Sequence, residues 1–526
     1  MIFASVLAFA ALSGPLPKAG VIAVTLLAAA VLLARAPRAR AVAMLGALVL
    51  APVLLLSEIW SSPQLAIVHR HPLEAAVGGV VALCVLGAVA ALFVRRPALM
   101  AVLAVAALPF RVPIQSGGTT SNLLVPLYLV VAAGALAWIW RAARSGGDAE
   151  RAQALGSGSR AVDALLALYL LLYGIQAIYS PNQGFEKALQ NAVFFYVPFA
   201  LLYRLLCGVR WSRRLLIDCL RVTVALALVF AAIGFYEYAT KTIILNPKLV
   251  VANDLHTYFT VNSVFFDPDI FGRYLALAMI LLAVALIYER RSREQGAVIV
   301  VLAILWACLV LTLSRSSLGA LLVGMAVLAA LRWRPGRAVL VAVAVVVLGV
   351  AAVAVAPRTF GINQGLNNAS SGRGGLVSGG LSLVGQRPVW GWGSGSFVTE
   401  YRAHHRHTPT ALSASHTIPV TVAAEQGLIG ELSYAALVIA AIVCLVRAAR
   451  GDPARSAVAA AFIALVFHTM LYADFLEDPT TWVLLGVGVA LASAKPAAIE
   501  AAAPERGTRA DVPWFSEPPG GRIAGL

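Results

Sequence analysis

Charged residues are scarce in this sequence. Only 12% of its 526 residues are Asp, Glu, Lys or Arg, whereas 60% are hydrophobic; an ordinary soluble protein carries about 25% charged residues. Apolar runs of roughly 17–25 residues, each long enough to cross a ~30 Å hydrocarbon core as a helix, recur along the chain. A purely soluble fold is therefore excluded. We expect an all-α, polytopic transmembrane helical bundle of about 14–16 spans.

Cysteine is also scarce, and several common catalytic motifs are missing. The five cysteines lie in or beside apolar segments and show no CxxC spacing, so we expect neither a disulfide framework nor a zinc site. No P-loop, GxSxG or HExxH motif occurs. The commonest ATPase, hydrolase and metalloprotease interpretations are thereby removed.

The net charge of +16 would favour a nucleic-acid partner in a soluble protein. Here the basic residues are instead distributed as in a membrane protein. Arg and Lys cluster in alternate connections between the predicted spans, for example at 35–40, 141–160 and 332–337. The positive-inside rule places these connections and both termini in the cytoplasm. We expect no nucleic-acid partner, and we expect the membrane lipids to surround the spans.

The chain is expected to divide at a Gly/Ser/charge-rich linker and to end in a Pro/Gly/Ala-rich tail. The predicted parts are N-terminal transmembrane helices over 1–140, a cytoplasmic linker over 141–160, core transmembrane helices over 161–356, a large extracytoplasmic loop that holds the chemistry over 357–430, C-terminal transmembrane helices over 431–494, and a disordered cytoplasmic tail over 495–526.

The loop 357–430 is unusually cationic for the outer face. It holds five arginines and four histidines against only Glu400 and Glu425, and it has no aspartate. Contact with anionic lipid headgroups is one explanation. An anionic substrate is the other, because guanidinium groups pair bidentately with phosphate and imidazole exchanges protons near neutral pH.

Two arginines outside this loop lie in or beside predicted spans. Arg315 stands where two apolar runs meet, a position that costs about 2.5–3.5 kcal/mol on insertion scales and so usually faces a cavity or a partner. Arg273 lies about one turn into a span, where a side chain that snorkels to the interface is the alternative. Asp267 and Asp269 are close enough in sequence to pair with Arg273, to cap the helix or to hold a cation.

Two further segments contain candidate binding or catalytic residues. In RPVWGWGSGSF, residues 387–397, glycines alternate with Trp390 and Trp392; glycines let a backbone approach a ligand, and aromatic faces suit sugar rings or the membrane interface. His416 ends the cationic loop and precedes an apolar stretch. It is either a polar residue at a helix start or a group that exchanges a proton.

Taken together and in this order, four segments resemble the O-antigen ligase family, whose C-terminal region is shared with the Wzy-type polysaccharide polymerases. They are FDPDIFGRYLAL at 266–277, LTLSRSSLGAL at 311–321, RPVWGWGSGSF at 387–397 and SHTIPVTVAAEQGLIGEL at 415–432. The resemblance covers roughly residues 161–494. The N-terminal spans have no assigned counterpart.

The resemblance implies a GT-C-class membrane glycosyltransferase in the bacterial cytoplasmic membrane, with its active site on the extracytoplasmic face. Such an enzyme takes a glycan from a polyprenyl diphosphate carrier and transfers it, with inversion, to a hydroxyl of a glycan or lipid-glycan acceptor. No metal or other cofactor is implied. A Wzy-type polymerase with the same donor is one alternative. A transporter or flippase for a lipid-linked or anionic substrate is another, although neither paired repeats nor broken helices are evident in the sequence.

The resemblance also implies roles for single residues. Arg273 and Arg315 would bind the donor diphosphate and, together with His416 at the acceptor hydroxyl, form the catalytic set. The further candidates are Arg387 and Arg402 for phosphate, and Trp390, Trp392 and Glu425 for the acceptor or glycan. Thr417 follows the histidine where family members often have Asn, and the stretch before residue 266 lacks an arginine that they often carry.

Overall fold

The computed structural model describes most of the chain between residues 16 and 494. The described residues are 16–59, 70–116, 119–144, 157–245, 249–250, 253, 259–288, 292–333, 336, 373–405, 417–447 and 449–494. His416 and the predicted tail 495–526 lie outside them. Most of the predicted linker, part of the predicted outer loop, and parts of the predicted N-terminal and core transmembrane segments also lie outside them.

The described structure is almost entirely helical. The helices are α1 Leu16–Leu33, α2 Pro37–Ile59, α3 Pro72–Arg95, α4 Pro97–Ala107, α5 Val125–Arg144, α6 Ser157–Gln176, α7 Asn182–Asn191, α8 Val197–Cys207, α9 Arg213–Thr240, α10 Pro268–Tyr288, α11 Ser292–Leu311, α12 Arg315–Arg332, α13 Arg373–Gln386, α14 Phe397–His404, α15 Ile418–Arg447, α16 Pro453–Thr469 and α17 Pro479–Ser493. Six of them begin at proline, whose fixed φ suits the first helical position and whose missing N–H is not needed there.

Among the described helices, eleven are long and apolar enough to cross a membrane, and α4, α16 and α17 are shorter apolar helices. The predicted all-α, polytopic membrane fold is confirmed. A small feature was not predicted: Val112–Ser116 and Thr119–Leu123 pair as antiparallel strands β1 and β2, with Val112 opposite Leu123. Helix α5 begins directly after this strand pair, at Val125.

Internal contacts divide the chain into two units. The first contains residues 1–211, 343–448 and 465–493. Its core is rich in buried aromatic side chains, including Tyr203 and Trp482. The Tyr203 hydroxyl donates to the Asp163 carboxylate at 2.6 Å, and the Trp482 indole donates to the Leu476 carbonyl at 2.9 Å. Each buried polar tip thus has the partner that burial demands.

The second unit contains residues 212–342, 449–464 and 494–526. Its helices α10 and α12 pack closely because glycines leave room between them. A Cβ atom on Gly324 of α12 would lie 2.2 Å from the Ile280 side chain of α10. Nearer the start of both helices, a Cβ on Gly272 would lie 2.8 Å from the Ser317 hydroxyl. The first turns of α10 and α12 are therefore held side by side.

Helix α15 is broken rather than continuous. Gly427 has φ 65° and ψ −165°, which separates a first half, 418–426, from a second half, 428–447. The sequence was interpreted as loop up to residue 430 and as a span from 431, whereas the chain is already helical from Ile418. Glu425 and Gln426 are polar and a glycine follows them, so the sequence pattern indicated a loop. The helix is in fact interrupted at Gly427 and then continues.

Candidate active site

One candidate site lies where α10 and α12 begin, within the second unit. Ser314 is the N-cap of α12: its hydroxyl accepts the Ser317 N–H at 3.2 Å and also hydrogen-bonds the carboxylate of Asp269 in the first turn of α10. Ser316 donates to the same carboxylate oxygen at 3.1 Å. Asp267 accepts the Asp269 N–H at 2.7 Å, so it acts as a cap of α10. Acidic and hydroxyl groups thus satisfy the free N–H groups of two adjoining helix ends.

Arg315 lies in the first turn of α12, and Arg273 lies in the second turn of α10. Arg273 is only 2% exposed, so its guanidinium does not snorkel to the surface, contrary to the alternative raised by the sequence. Arg315 is the first residue of α12 and is exposed. A cation beside a helix N-terminus has the same sign as the local end of the helix dipole. The two arginines and the positive ends of the two helix dipoles oppose the negative charges of Asp267 and Asp269 in this region.

Glu237 near the end of α9 is a residue that sequence reasoning missed. Its carboxylate is fully buried and accepts backbone N–H groups from Ile244 at 3.2 Å, Asn262 at 3.1 Å and Ser263 at 2.8 Å. It therefore fixes parts of the connection that leads into α10. A single acid near the end of a long apolar helix was the available signal, because an acid in such a helix needs a partner.

Another candidate site lies in the first unit and is the glycine-rich turn 387–397. Gly391, Gly393 and Gly395 all have positive φ values of 67°, 101° and 78°. A Cβ on Gly393 would lie 2.7 Å from the Ser180 backbone, and one on Gly395 would lie 2.3 Å from the Gly184 carbonyl oxygen. The turn thus needs glycine both for its conformation and for its close contact with α7 and the residues just before it.

Glu425 of α15 binds this turn through its side chain. Its carboxylate accepts the N–H of Gly395 at 2.8 Å and the N–H of Phe397 at 3.1 Å. Its own carbonyl accepts the Gly393 N–H at 2.7 Å. The predicted role of Glu425 as a glycan or acceptor contact stays a prediction, but both of its carboxylate oxygens already bind the protein backbone.

The two tryptophans of the turn differ in their surroundings. Trp392 is half-buried, and its indole donates to the Leu383 carbonyl at 3.0 Å. The Arg387 guanidinium lies 4.0 Å from the centre of the Trp392 ring, and the His404 ring packs edge-on against it at 5.1 Å. Trp390 is 62% exposed. Only Trp390 therefore presents most of its ring to a ligand.

Arg402 lies on α14, directly after the glycine-rich turn, and is exposed. The structure thus groups Arg387, Trp390, Trp392, Arg402 and Glu425 around the turn within the first unit.

The first described residue after His416 is Thr417, and its contacts point to a segment that sequence reasoning left out. The Thr417 hydroxyl donates to the Met470 carbonyl at 3.1 Å, and Arg373 donates to the neighbouring Leu471 carbonyl at 2.9 Å. The connection 470–478 between α16 and α17 thus adjoins the start of α15. It contains three acids, Asp474, Glu477 and Asp478.

Glu477 of this connection is half-buried, and the Tyr196 hydroxyl donates to its carboxylate at 2.7 Å. Burial raises the pKa of Glu477, the negative charge of Asp474 raises it further, and the bond from Tyr196 offsets part of the rise. In the part of the chain that the structure describes, no group of three or more His, Cys, Asp or Glu side chains is placed to hold a metal ion.

Comparison with known proteins gives one match. Residues 299–435 match the family described as O-Antigen ligase. This segment is about a quarter of the chain and contains Arg315 and the whole glycine-rich turn, and it confirms the resemblance read from the sequence. A search of curated proteins finds no match.

Proposed function

We propose that this multi-pass membrane protein with its O-antigen ligase domain transfers a glycan from a polyprenyl diphosphate carrier to an acceptor hydroxyl, at the outer face of the bacterial cytoplasmic membrane. The family match supports a glycan-transfer function with a lipid-linked donor and a glycan acceptor. The observation that carries the finer proposal is the pair of adjoining helix N-termini that bear Arg273 and Arg315.

The cations act on the leaving group. The acceptor oxygen attacks the anomeric carbon, the bond from that carbon to the diphosphate oxygen breaks, and the configuration inverts in a single displacement. The bond's electron pair leaves with the diphosphate, and groups already oriented toward that charge lower the barrier. Exposed Arg315 can bind phosphate oxygens bidentately. Buried Arg273 acts through a less screened field, because its surroundings exclude water.

His416 takes the proton of the attacking hydroxyl in this proposal. An imidazole with an unperturbed pKa near 6.5 suits a general base near neutral pH. This role rests on the position of His416 in the family motif. Since the two arginines supply the positive charge, the proposed reaction needs no metal ion.

The glycine-rich turn supplies contacts for the sugar. The open ring of Trp390 can stack on a sugar face, as aromatic rings do with apolar patches of saccharides. Arg387 and Arg402 add positive charge for phosphate or for acidic groups of the glycan. Whether the acceptor makes the enzyme a ligase or a Wzy-type polymerase does not change these roles, because both use the same donor end.

The broken helix α15 is the feature that favours a transporter. In transporters, the N-terminus of a half-helix points its free N–H groups at an anionic substrate. Here the first N–H groups of the second half are already used. Leu428 donates to the Pro388 carbonyl at 2.7 Å and Ile429 donates to the Val389 carbonyl at 3.5 Å. This occupied half-helix end supports the transferase over the transporter.

The test uses purified protein in proteoliposomes with a polyprenyl diphosphate oligosaccharide, candidate acceptors and EDTA. The expected result is release of polyprenyl diphosphate by the wild type and loss of release in Arg315→Ala. Arg332→Ala is the matched control, because Arg332 is the last residue of the same helix. Movement of the intact lipid-linked glycan across the bilayer without release would instead support the flippase.

A further inference from the structure

We propose that Glu425 is a positioning residue: it locks the glycine-rich turn onto the break in α15 and thereby orients the groups that contact the substrate. The inference concerns the first unit alone and deepens the proposed function, on which its kinetic part rests. It differs from the sequence-based role, in which Glu425 touches the acceptor or glycan.

Two backbone segments pair with each other at the break in α15. Trp392 donates its N–H to the Ala424 carbonyl at 3.0 Å, and Gly393 donates to the Glu425 carbonyl at 2.7 Å. In the other direction, Leu428 donates to the Pro388 carbonyl. The segment 388–393 thus pairs with 424–429 across the break, as two short strands would.

This pairing satisfies backbone groups that the break exposes. The last carbonyls of a helix and the first N–H groups of the next have no partner within the helices themselves. The carbonyls of Ala424 and Glu425 receive the turn's N–H groups, and the Gln426 carbonyl receives the Gln176 side-chain amide at 3.1 Å. A break inside an apolar helix is tolerated only where such groups find partners.

The carboxylate extends the pairing beyond what the backbone can reach. The N–H groups of Gly395 and Phe397 stand at the start of α14, where a helix has free donors and the positive end of its dipole. A carboxylate accepts both, through charge-assisted hydrogen bonds. The amide of glutamine offers only one acceptor oxygen, and its NH₂ would face the second N–H. Glutamine therefore preserves only half of the contact.

Several of the proposed substrate-binding groups depend on the contact between the Glu425 carboxylate and the glycine-rich turn. Trp392, with Arg387 stacked on it, lies within the locked turn, and Arg402 lies on the helix whose first N–H binds Glu425. Glu425 can orient all of them without touching substrate.

The experiment compares Glu425→Ala and Glu425→Gln with the wild type in proteoliposomes. Glu431→Ala is the matched control, because Glu431 belongs to the second half of the same helix and makes no hydrogen bond or ion pair with any described residue. One readout is the rate of tryptic cleavage after Arg402, followed by mass spectrometry. The other is the KM and kcat for the acceptor.

Release of the turn should speed cleavage after Arg402 by about tenfold or more in Glu425→Ala, and should lower kcat/KM by a similar factor. Glu425→Gln should fall between this variant and the wild type, and Glu431→Ala should match the wild type. Inactivity of both Glu425 variants with unchanged cleavage would show that the carboxylate acts on the substrate and would overturn the proposal, and so would unchanged cleavage with unchanged kinetics.

If the wild type releases no polyprenyl diphosphate, the proposed function is contradicted. If Glu425→Ala is nevertheless cleaved faster than the wild type, the locking role of Glu425 stands. The proteolytic readout therefore separates the two proposals.

Discussion

Gly391 and Gly427 face each other across the break in α15. A Cβ atom on Gly391 would lie 2.5 Å from the nitrogen of Gly427, and a Cβ on Gly427 would lie 2.7 Å from the nitrogen of Gly391. Both residues have left-handed φ values, 67° and 65°. Neither position has room for a side chain, and each conformation disfavours one.

We therefore predict that Gly391→Ala and Gly427→Ala each lower the free energy of unfolding. The left-handed conformation alone costs roughly 1–2 kcal/mol for a residue with a Cβ, and the displaced backbone adds to this. Thermal unfolding in detergent measures the effect. Gly385→Ala in α13, where a Cβ would meet nothing within 4 Å, should be neutral or slightly stabilising; equal melting temperatures for all three variants would contradict the prediction.

His416→Ala should abolish acceptor-dependent turnover while leaving binding of the lipid diphosphate intact. Loss of a general base typically lowers the rate by about 10²–10⁴-fold. The base acts in its neutral form, so wild-type activity should fall as the pH drops through about 6.5, the unperturbed value of the imidazole pKa. Steady-state rates and donor binding across this range test the idea. His71→Ala, at an exposed position beside α3, should keep the wild-type rate and pH profile.

The two tryptophans of the turn should respond differently to removal. Trp390→Ala should raise the KM for the glycan substrate with little change in melting temperature, because most of its ring is exposed. Trp392→Ala should also lower the melting temperature, because Trp392 packs against the buried cluster that contains Leu383 and Phe397. Losing a buried aromatic side chain costs about 3–5 kcal/mol, and less for one that is half-buried. Calorimetry and acceptor titrations on both variants test this prediction. A lower melting temperature for Trp390→Ala than for Trp392→Ala would be incompatible with the packing.

Glu477 should make stability depend on pH. Because burial and Asp474 raise its pKa in the folded protein, the folded state keeps this proton at pH values where the unfolded chain, with a glutamate pKa of about 4.3, has released it. The stabilisation of the folded state by this proton is fully present below the unfolded pKa, and it is lost as the pH rises to the folded pKa.

Glu477→Gln should therefore flatten the decline in melting temperature as the pH rises above about 4.3, the unfolded value of the pKa. Asp452→Asn, in the connection before α16, is the control and should leave the decline unchanged. A Glu477→Gln profile parallel to that of the wild type would argue against the raised pKa.

Apolar runs predicted most of the helices, because the requirement to cross a hydrocarbon core leaves few other structures possible. The sequence did not show where tertiary contacts replace helical ones. Gly427 was interpreted as loop because a break and an end look alike in one dimension. The burial of Arg273 and the role of Glu237 were equally hidden. The first depends on helix packing, and the second depends on backbone N–H groups of the connection between α9 and α10. The types of the site residues could be predicted from the sequence. Which of them lie together within each unit could be seen only from the fold.

The second half of α15 has a consequence for how the protein is inserted into the membrane. Its twenty residues, 428–447, measure about 30 Å as a helix, which matches the hydrocarbon thickness. This half can enter the bilayer by itself during synthesis, whereas the nine residues of 418–426 are too few to do so. Insertion of the span and docking of the preceding half-helix onto residues 388–397 are thus separable steps of biogenesis, and a substitution at Gly391 would leave the first intact while blocking the second.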